Sequence, residues 1–306
     1  MTRASDDFMT SYVLTLVGNA DTAPLQPVHI EQVFECLELT GEADWLAERE
    51  ACDIFINSRL SAGSVTGKIR SLFTGSSIDA VCTRIKGRRK SILISDMDST
   101  MIDQECIDEL ADAMGLGSEI REITKSVIEG NIGFSEALRK RLKLMKGMEI
   151  KMLQDVYEQR ISLKAGARTL VQTMRHHGAF CILVSGGFTF FTGLIAARLG
   201  FNDHQGNELI FNNGKFAGEV KNPILGRSAK LDTLMTLCNE KQLTPSDVLA
   251  VGDGANDIKM NQAAGLGVAY HATGELKLQS NACIDYADLT SILYIQGFHK
   301  SEFVLS

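Results

Sequence analysis

Several signatures are missing from this 306-residue chain. No uninterrupted apolar run approaches the roughly 20 residues that a membrane-spanning helix needs. No long basic run is present to track a phosphate backbone, and 31 Lys and Arg face 38 Asp and Glu for a net charge of -7. Membrane and nucleic acid are therefore not expected as partners. The seven cysteines (Cys36, Cys52, Cys82, Cys106, Cys181, Cys238, Cys283) are odd in number, scattered and never in a CxxC pair. They read as buried free thiols, not as a disulfide framework or a zinc site. The opening "MTRASDDFMT" is acidic early and has no apolar h-region after it, so the expectation is a cytoplasmic protein. GxSxG, Walker A and HExxH are absent too, which removes the residues of the main competing hydrolase chemistries.

The rest of the composition, 44% hydrophobic and 23% charged, is that of an ordinary globular chain with room for about two domains. Residues 1–85 alternate in short units: "YVLTLVG" as a strand, "PVHIEQVFECLEL" as a helix, "ADWLAERE" and "ACDIFIN" as paired strands, "SVTGKIRSLFT" as a helix and "IDAVCTRI" as a strand. The order β-α-β-β-α-β predicts a ferredoxin-like α+β sandwich. The basic "KGRRK" then reads as a solvated polar linker, residues 86–91. From residue 92 to 306, short apolar runs (Ile92 to Ser95, Phe180 to Ser185, Val248 to Gly252, Gly267 to Ala269) recur with helical patterns between them. Such runs predict an α/β domain built on a doubly wound parallel sheet covered on both faces. Two insertions interrupt it: a helical cap over about 107–163, and a β-hairpin over about 207–220 around Asn213-Gly214.

In an open parallel sheet, ligands bind beyond the carboxyl ends of the strands. The residues found there are Asp96 and Asp98 in "SILISDMDSTMIDQE", Ser185, Gly186 and Gly187 in "LVSGG", and Asp253, Gly254, Asn256 and Asp257 in "GDGAND". Each motif alone has a plain explanation, because acidic residues form turns, "GDGAND" can cap a helix and "SGG" can be a simple strand-to-helix turn. Their joint arrival at strand ends is harder to explain that way. Clustered carboxylates become tolerable around a hard divalent cation such as Mg2+, which favours one or two carboxylates plus a phosphate. An Asp can then attack phosphorus, and a second carboxyl with a raised pKa can exchange the proton. Ser185, the glycine backbone and Lys230 offer donors and charge for phosphoryl oxygens.

These motifs, "DMDST", "LVSGG", Lys230 in "GRSAKLDTL" and "GDGANDIKM", resemble the four ordered motifs of the haloacid dehalogenase superfamily of aspartyl phosphatases. "DMDSTMIDQECIDELA" with "GNIGFSEALRKRLKLMKG" resembles the branch of that superfamily acting on phosphoserine. The likeness runs from about Ile92 to Ala287. It implies Asp96 as nucleophile and Asp98 as general acid and base. It implies Mg2+ held by Asp96, the Asp98 backbone carbonyl and Asp253, with Asp257 supporting, and phosphate held by Ser185, Gly186 and Lys230 with Asn256 nearby. Glu105 and Arg141 match the family positions that receive the substrate's ammonium and carboxylate, and Arg suits a planar carboxylate. Phe134 is expected to close the apolar side of the pocket, a position that an ordinary cap-core aromatic would also fill.

The activity implied is hydrolysis of O-phospho-L-serine, ending serine biosynthesis. Phosphotransfer to another alcohol such as homoserine, a broad small-molecule phosphatase, and a non-catalytic amino-acid sensor remain as alternatives. The element order of residues 1–85 resembles an ACT-like domain, which implies serine sensing or a homodimer formed through it; a merely stabilising appendage fits the pattern equally.

Overall fold

The computed structural model describes residues 9–305. The first layer is built from β1 (Thr10–Val17), α1 (Pro27–Leu37), β2 (Asp44–Ala47), β3 (Ala51–Ser58), α2 (Ala62–Leu72) and β4 (Asp79–Arg84). All its strand pairs are antiparallel, in the order β2-β3-β1-β4. Period-2 alternation sends Leu14, Leu16, Ile54 and Ile56 to one face, where Val33 of α1 and Val65 and Ile69 of α2 cover them. Val17, Ala51 and Val81 join the larger core on the other face.

The second layer is the α/β unit. It runs β5 (Ile92–Ser95), α3 (Cys106–Ala113), α4 (Gly117–Ile128), α5 (Phe134–Leu144), α6 (Ile150–Arg160), α7 (Ala167–His176), β6 (Phe180–Phe188), α8 (Thr189–Leu199) and β7 (Asp203–Asn207). A hairpin of β8 (Leu209–Asn212) and β9 (Lys215–Val220) follows. The chain then continues through α9 (Ala229–Lys241), β10 (Val248–Gly252), α10 (Ile258–Ala263), β11 (Leu266–Tyr270), α11 (Glu275–Gln279), β12 (Ala282–Ile284) and α12 (Ser291–Ile295). Six strands pair in parallel in the order β7-β6-β5-β10-β11-β12. The chain leaves β5 toward one edge and returns to β10 on its other side, so the switch point of the sheet falls between β5 and β10.

Burial on both faces explains why β5 is a continuous apolar run. Ile92 and Ile94 pack with Leu234, Leu237 and Met260, whereas Leu93 joins the opposite core. The four strands read from sequence are the inner four. The edge strands β7 and β12 went unread because "DHQGN" is polar and half exposed and "ACI" has only three residues. A strand with one neighbour buries less and carries a weaker pattern.

The inserted cap comprises α3 to α6. Its entry and exit run side by side, with Ile102 bridged to Leu163, Asp103 N–H donating to Ser162 O at 3.1 Å and Lys164 N–H to Met101 O at 3.0 Å. The hairpin turns at Asn213 (φ 50°) and Gly214 (φ 77°), the pair of left-handed residues that matches strand twist. It grips the cap through Gly147 N–H to Phe216 O and Phe216 N–H to Met148 O, both 2.8 Å.

Within "KGRRK", Lys86, Gly87 and Arg89 are exposed, as a solvated linker would be, but Arg88 departs from that expectation. Arg88 Nη1 and Nη2 bond Asp53 at 2.5 and 2.7 Å, Nη2 bonds Thr15 Oγ1 at 2.8 Å, and Nε bonds Ile295 O at 2.6 Å. A charge that looks like surface in sequence is here a pin between the two layers. No described helix is long and apolar enough to cross a membrane.

Candidate active site

The carboxyl ends of β5, β6 and β10 meet the cap around a cavity of about 270 Å³. Asp96, Asp98, Glu105, Phe134, Arg141, Ser185, Gly186, Lys230, Asp253 and Asn256 all line it. Asp257 does not; it lies fully buried behind Lys230.

Asp96 is fixed by the sheet, its N–H donating to Val251 O of β10 at 3.0 Å. Beyond it the chain turns tightly: the N–H groups of Thr100, Met101 and Ile102 all reach Met97 O, and Ser99 takes a left-handed φ of 56°. That turn brings Asp98 back over the strand end. Asp96 Oδ1 accepts from Met97 N–H at 2.7 Å, and Oδ2 accepts from Asn256 Nδ2 at 2.9 Å and from Lys230 Nζ at 2.5 Å. Asp98 Oδ1 accepts from Cys106 N–H at 2.8 Å and Oδ2 from Ser185 Oγ at 3.0 Å. Ser185 Oγ in turn accepts from Gly187 N–H at 2.8 Å.

Close packing explains the paired glycines. A Cβ on Gly187 would stand 3.0 Å from both Asp98 Oδ2 and Ser185 Oγ, and one on Gly186 would stand 3.1 Å from Phe134 Cζ. Phe134 of the cap therefore rests on the end of β6, where it both lines the cavity and packs against the larger core.

Negative charge is in excess here. One oxygen each of Asp96, Asp253 and Asp257 lies within 4.8 Å of the others, and Lys230, 2.5 Å from both Asp96 and Asp257, supplies one compensating charge. Those two carboxylates hold the Lys230 ammonium protonated against the opposing effect of burial. Burial, then the charge of Asp96, raises Asp253 to about 6 and Asp257 to about 7. Burial, then Asp96, also lifts Asp98 above the ordinary carboxylate range, against the N–H of Cys106. Three hard-oxygen donors with excess negative charge, Asp96 and Asp257 buried and Asp253 half-buried, fit Mg2+.

On the cap side, Glu105 is exposed, lines the cavity and accepts from Ser99 Oγ at 2.7 Å. Burial, then Asp98, raises its carboxyl to about 8. Arg141 is half-buried, and burial lowers its guanidinium pKa while Asp108 and Glu105 oppose the shift. One acid and one base thus face the carboxylate cluster across the cavity.

Other residues of the site were not singled out from the sequence. Thr100 Oγ1 bonds Asp253 Oδ1 at 2.7 Å and was visible within "DMDST". Ile107, Thr124, Val127 and Leu138 give the cap wall its apolar surface, and Arg227 lines the cavity three residues before Lys230. Nothing in their local pattern separates them from ordinary helix and loop residues.

The fold, with its switch-point carboxylates and an inserted cap, defines a class: the chain belongs to the haloacid dehalogenase-like hydrolase family, whose model matches residues 93–262. Within that family it is similar to phosphoserine phosphatases. It is 39% identical over 207 residues to the one from Polaromonas sp. (strain JS666), covering 66% of this chain and 88% of that protein. It is 38% identical over 205 residues to the one from Archaeoglobus fulgidus, covering 67% of this chain but only 59% of that longer protein. A solved phospho-aspartyl intermediate analogue of phosphoserine phosphatase superposes with a TM-score of 0.63 at 35% identity, over 67% of this chain and 98% of its own. Relatives of this kind place the chain among the family's phosphatases.

Proposed function

We propose that this protein hydrolyses O-phospho-L-serine to L-serine and phosphate through a phosphorylated Asp96, with Mg2+ bound. The observation that carries the reading is the placement of Asp96 and Asp98 at one strand end, under Ser185 and Lys230, with Glu105 and Arg141 facing them. The names of the similar proteins support the choice of substrate.

In the first half-reaction the Asp96 carboxylate attacks phosphorus. The bond from phosphorus to the seryl oxygen breaks, and that oxygen takes the proton of Asp98, whose raised pKa keeps it a competent acid. In the second, Asp98 takes a proton from water as the water oxygen attacks phosphorus, and phosphate leaves with Asp96 restored. Ser185, the Gly186 backbone and Lys230, all lining the cavity, donate to phosphoryl oxygens, and Lys230 also holds the Asp96 carboxylate in place. Asp96, Asp253 and the Asp98 carbonyl would hold Mg2+, with Asp257 supporting. When bound, the ion supplies the positive charge that lets a carboxylate approach a phosphate dianion. Glu105 receives the ammonium and Arg141 the carboxylate, and Phe134 excludes water from the apolar side.

Phosphate release from O-phospho-L-serine, with and without a chelator, is the direct test. Release is expected only with Mg2+, and Asp96→Asn is expected to lower it on the order of 10^4-fold or more. Near-normal turnover by that variant would sink the mechanism. Phosphate appearing on added homoserine would convert the reading to phosphotransfer.

A further inference from the structure

A second cavity, of about 690 Å³, lies at the opposite end of the parallel sheet, where β10 and β11 begin. It shares no lining residue with the catalytic cavity. Both layers wall it: Thr83 and Arg84 of β4 on one side, Ser246, Asp247 and Leu266 on the other, with Lys86, Arg88 and Lys90 from the segment that joins them. Four cations thus line it against one carboxylate, Asp247. Arg88 is neutralised by Asp53, and Asp247 is turned to Thr244, accepting from its N–H at 3.0 Å and from its Oγ1 at 2.7 Å. Arg84, Lys86 and Lys90 form no ion pair among the described residues. The half-buried Lys90 ammonium instead donates to two carbonyls, Gly87 O at 2.7 Å and Ser246 O at 2.8 Å. Thr83 Oγ1 is shielded from solvent and has no hydrogen-bond partner. Desolvated cations and orphaned hydroxyls are costly until a counter-charge or an acceptor reaches them.

We propose that this cavity is a second binding site, for a small organic dianion of the phosphate monoester or dicarboxylate kind, held by Arg84, Lys86 and Lys90 with the Thr83 hydroxyl donating. Arg84 and Lys86 are exposed at its mouth, where unpaired positive charge draws an anion inward; Lys90 and Thr83 then meet it where water is scarce. The rival account, a set of ordinary solvated linker charges, covers Arg84 and Lys86 but leaves Lys90 without a counter-charge and Thr83 without a partner. The site is independent of which phosphate ester the catalytic cavity accepts.

Titration calorimetry on the full chain, with divalent cations chelated, separates the two accounts. The probes are phenylphosphonate, a phosphate-ester mimic that resists hydrolysis, and succinate. Any binding of a probe in the catalytic cavity is common to wild type and variants, so a difference between them reports the second cavity. The double variant Arg84→Gln, Lys86→Gln is expected to weaken binding of at least one probe about 10-fold. Thr83→Val, which keeps the side-chain shape and leaves every charge in place, is expected to weaken the same binding about threefold and serves where the double variant does not fold. An effect on phenylphosphonate alone identifies a phosphate ester, an effect on succinate alone a dicarboxylate, and an effect on both a site that reads only the double charge. No binding of either probe to the wild type, or isotherms that coincide for wild type and both variants, would overturn the proposal.

Discussion

Glu105 sits in an unfavourable electrostatic position. With burial and the charge of Asp98 raising its carboxyl from 4.5 to about 8, the folded chain binds its proton more tightly than the unfolded chain does. The contribution is therefore whole below about pH 4.5 and is lost as pH rises through about 8. Urea unfolding of the chelated protein is expected to show declining stability across that window, and Glu105→Gln to flatten the decline. An unaltered pH profile in the variant would contradict the assignment. Asp96, Asp98 and Asp253 were legible in the sequence for a related reason: carboxylates crowded at the ends of buried strands are hard to tolerate without a use. Arg227 carried no such signal, since a charge in a loop is ordinarily solvated and only the tertiary fold brings this exposed side chain to the cavity rim.

Among the elements, the inner strands and the hairpin could be read because each imposes a strong local demand: burial on two faces for β5, and left-handed backbone at Asn213 and Gly214 for the turn. Gly214→Val forces a branched side chain into that conformation. It is expected to destabilise the hairpin by about 1–2 kcal/mol, seen as faster amide exchange at Phe216 and Gly147, whose N–H groups join the hairpin to the cap. Unchanged exchange there would mean that the cap does not depend on the hairpin. The polar β7 makes no comparable demand, and its place is set by β6 beside it.

At the scale of the whole molecule, the two layers are joined by polar contacts that no local pattern announces. Arg88 finds its carboxylate 35 residues upstream, so "KGRRK" looked like a solvated tether. With the Asp53 side chain 2% exposed, Arg88→Ala leaves a buried charge uncompensated. It is expected to cost about 3–5 kcal/mol, measured by urea unfolding; a loss under 1 kcal/mol would show that Asp53 reaches water instead. The cap is joined to the sheet differently. Because residues 102–104 and 162–164 lie side by side, the segment between them opens and closes at one point, like a parenthesis in the chain. Lengthening, shortening or replacing its contents is expected to leave the alignment of β5 with β6 in place, since that alignment is made by the strands themselves. If the proposed function holds, the part of the protein that chooses a substrate is thus free to diverge in descendants while the part that breaks the bond stays where it was.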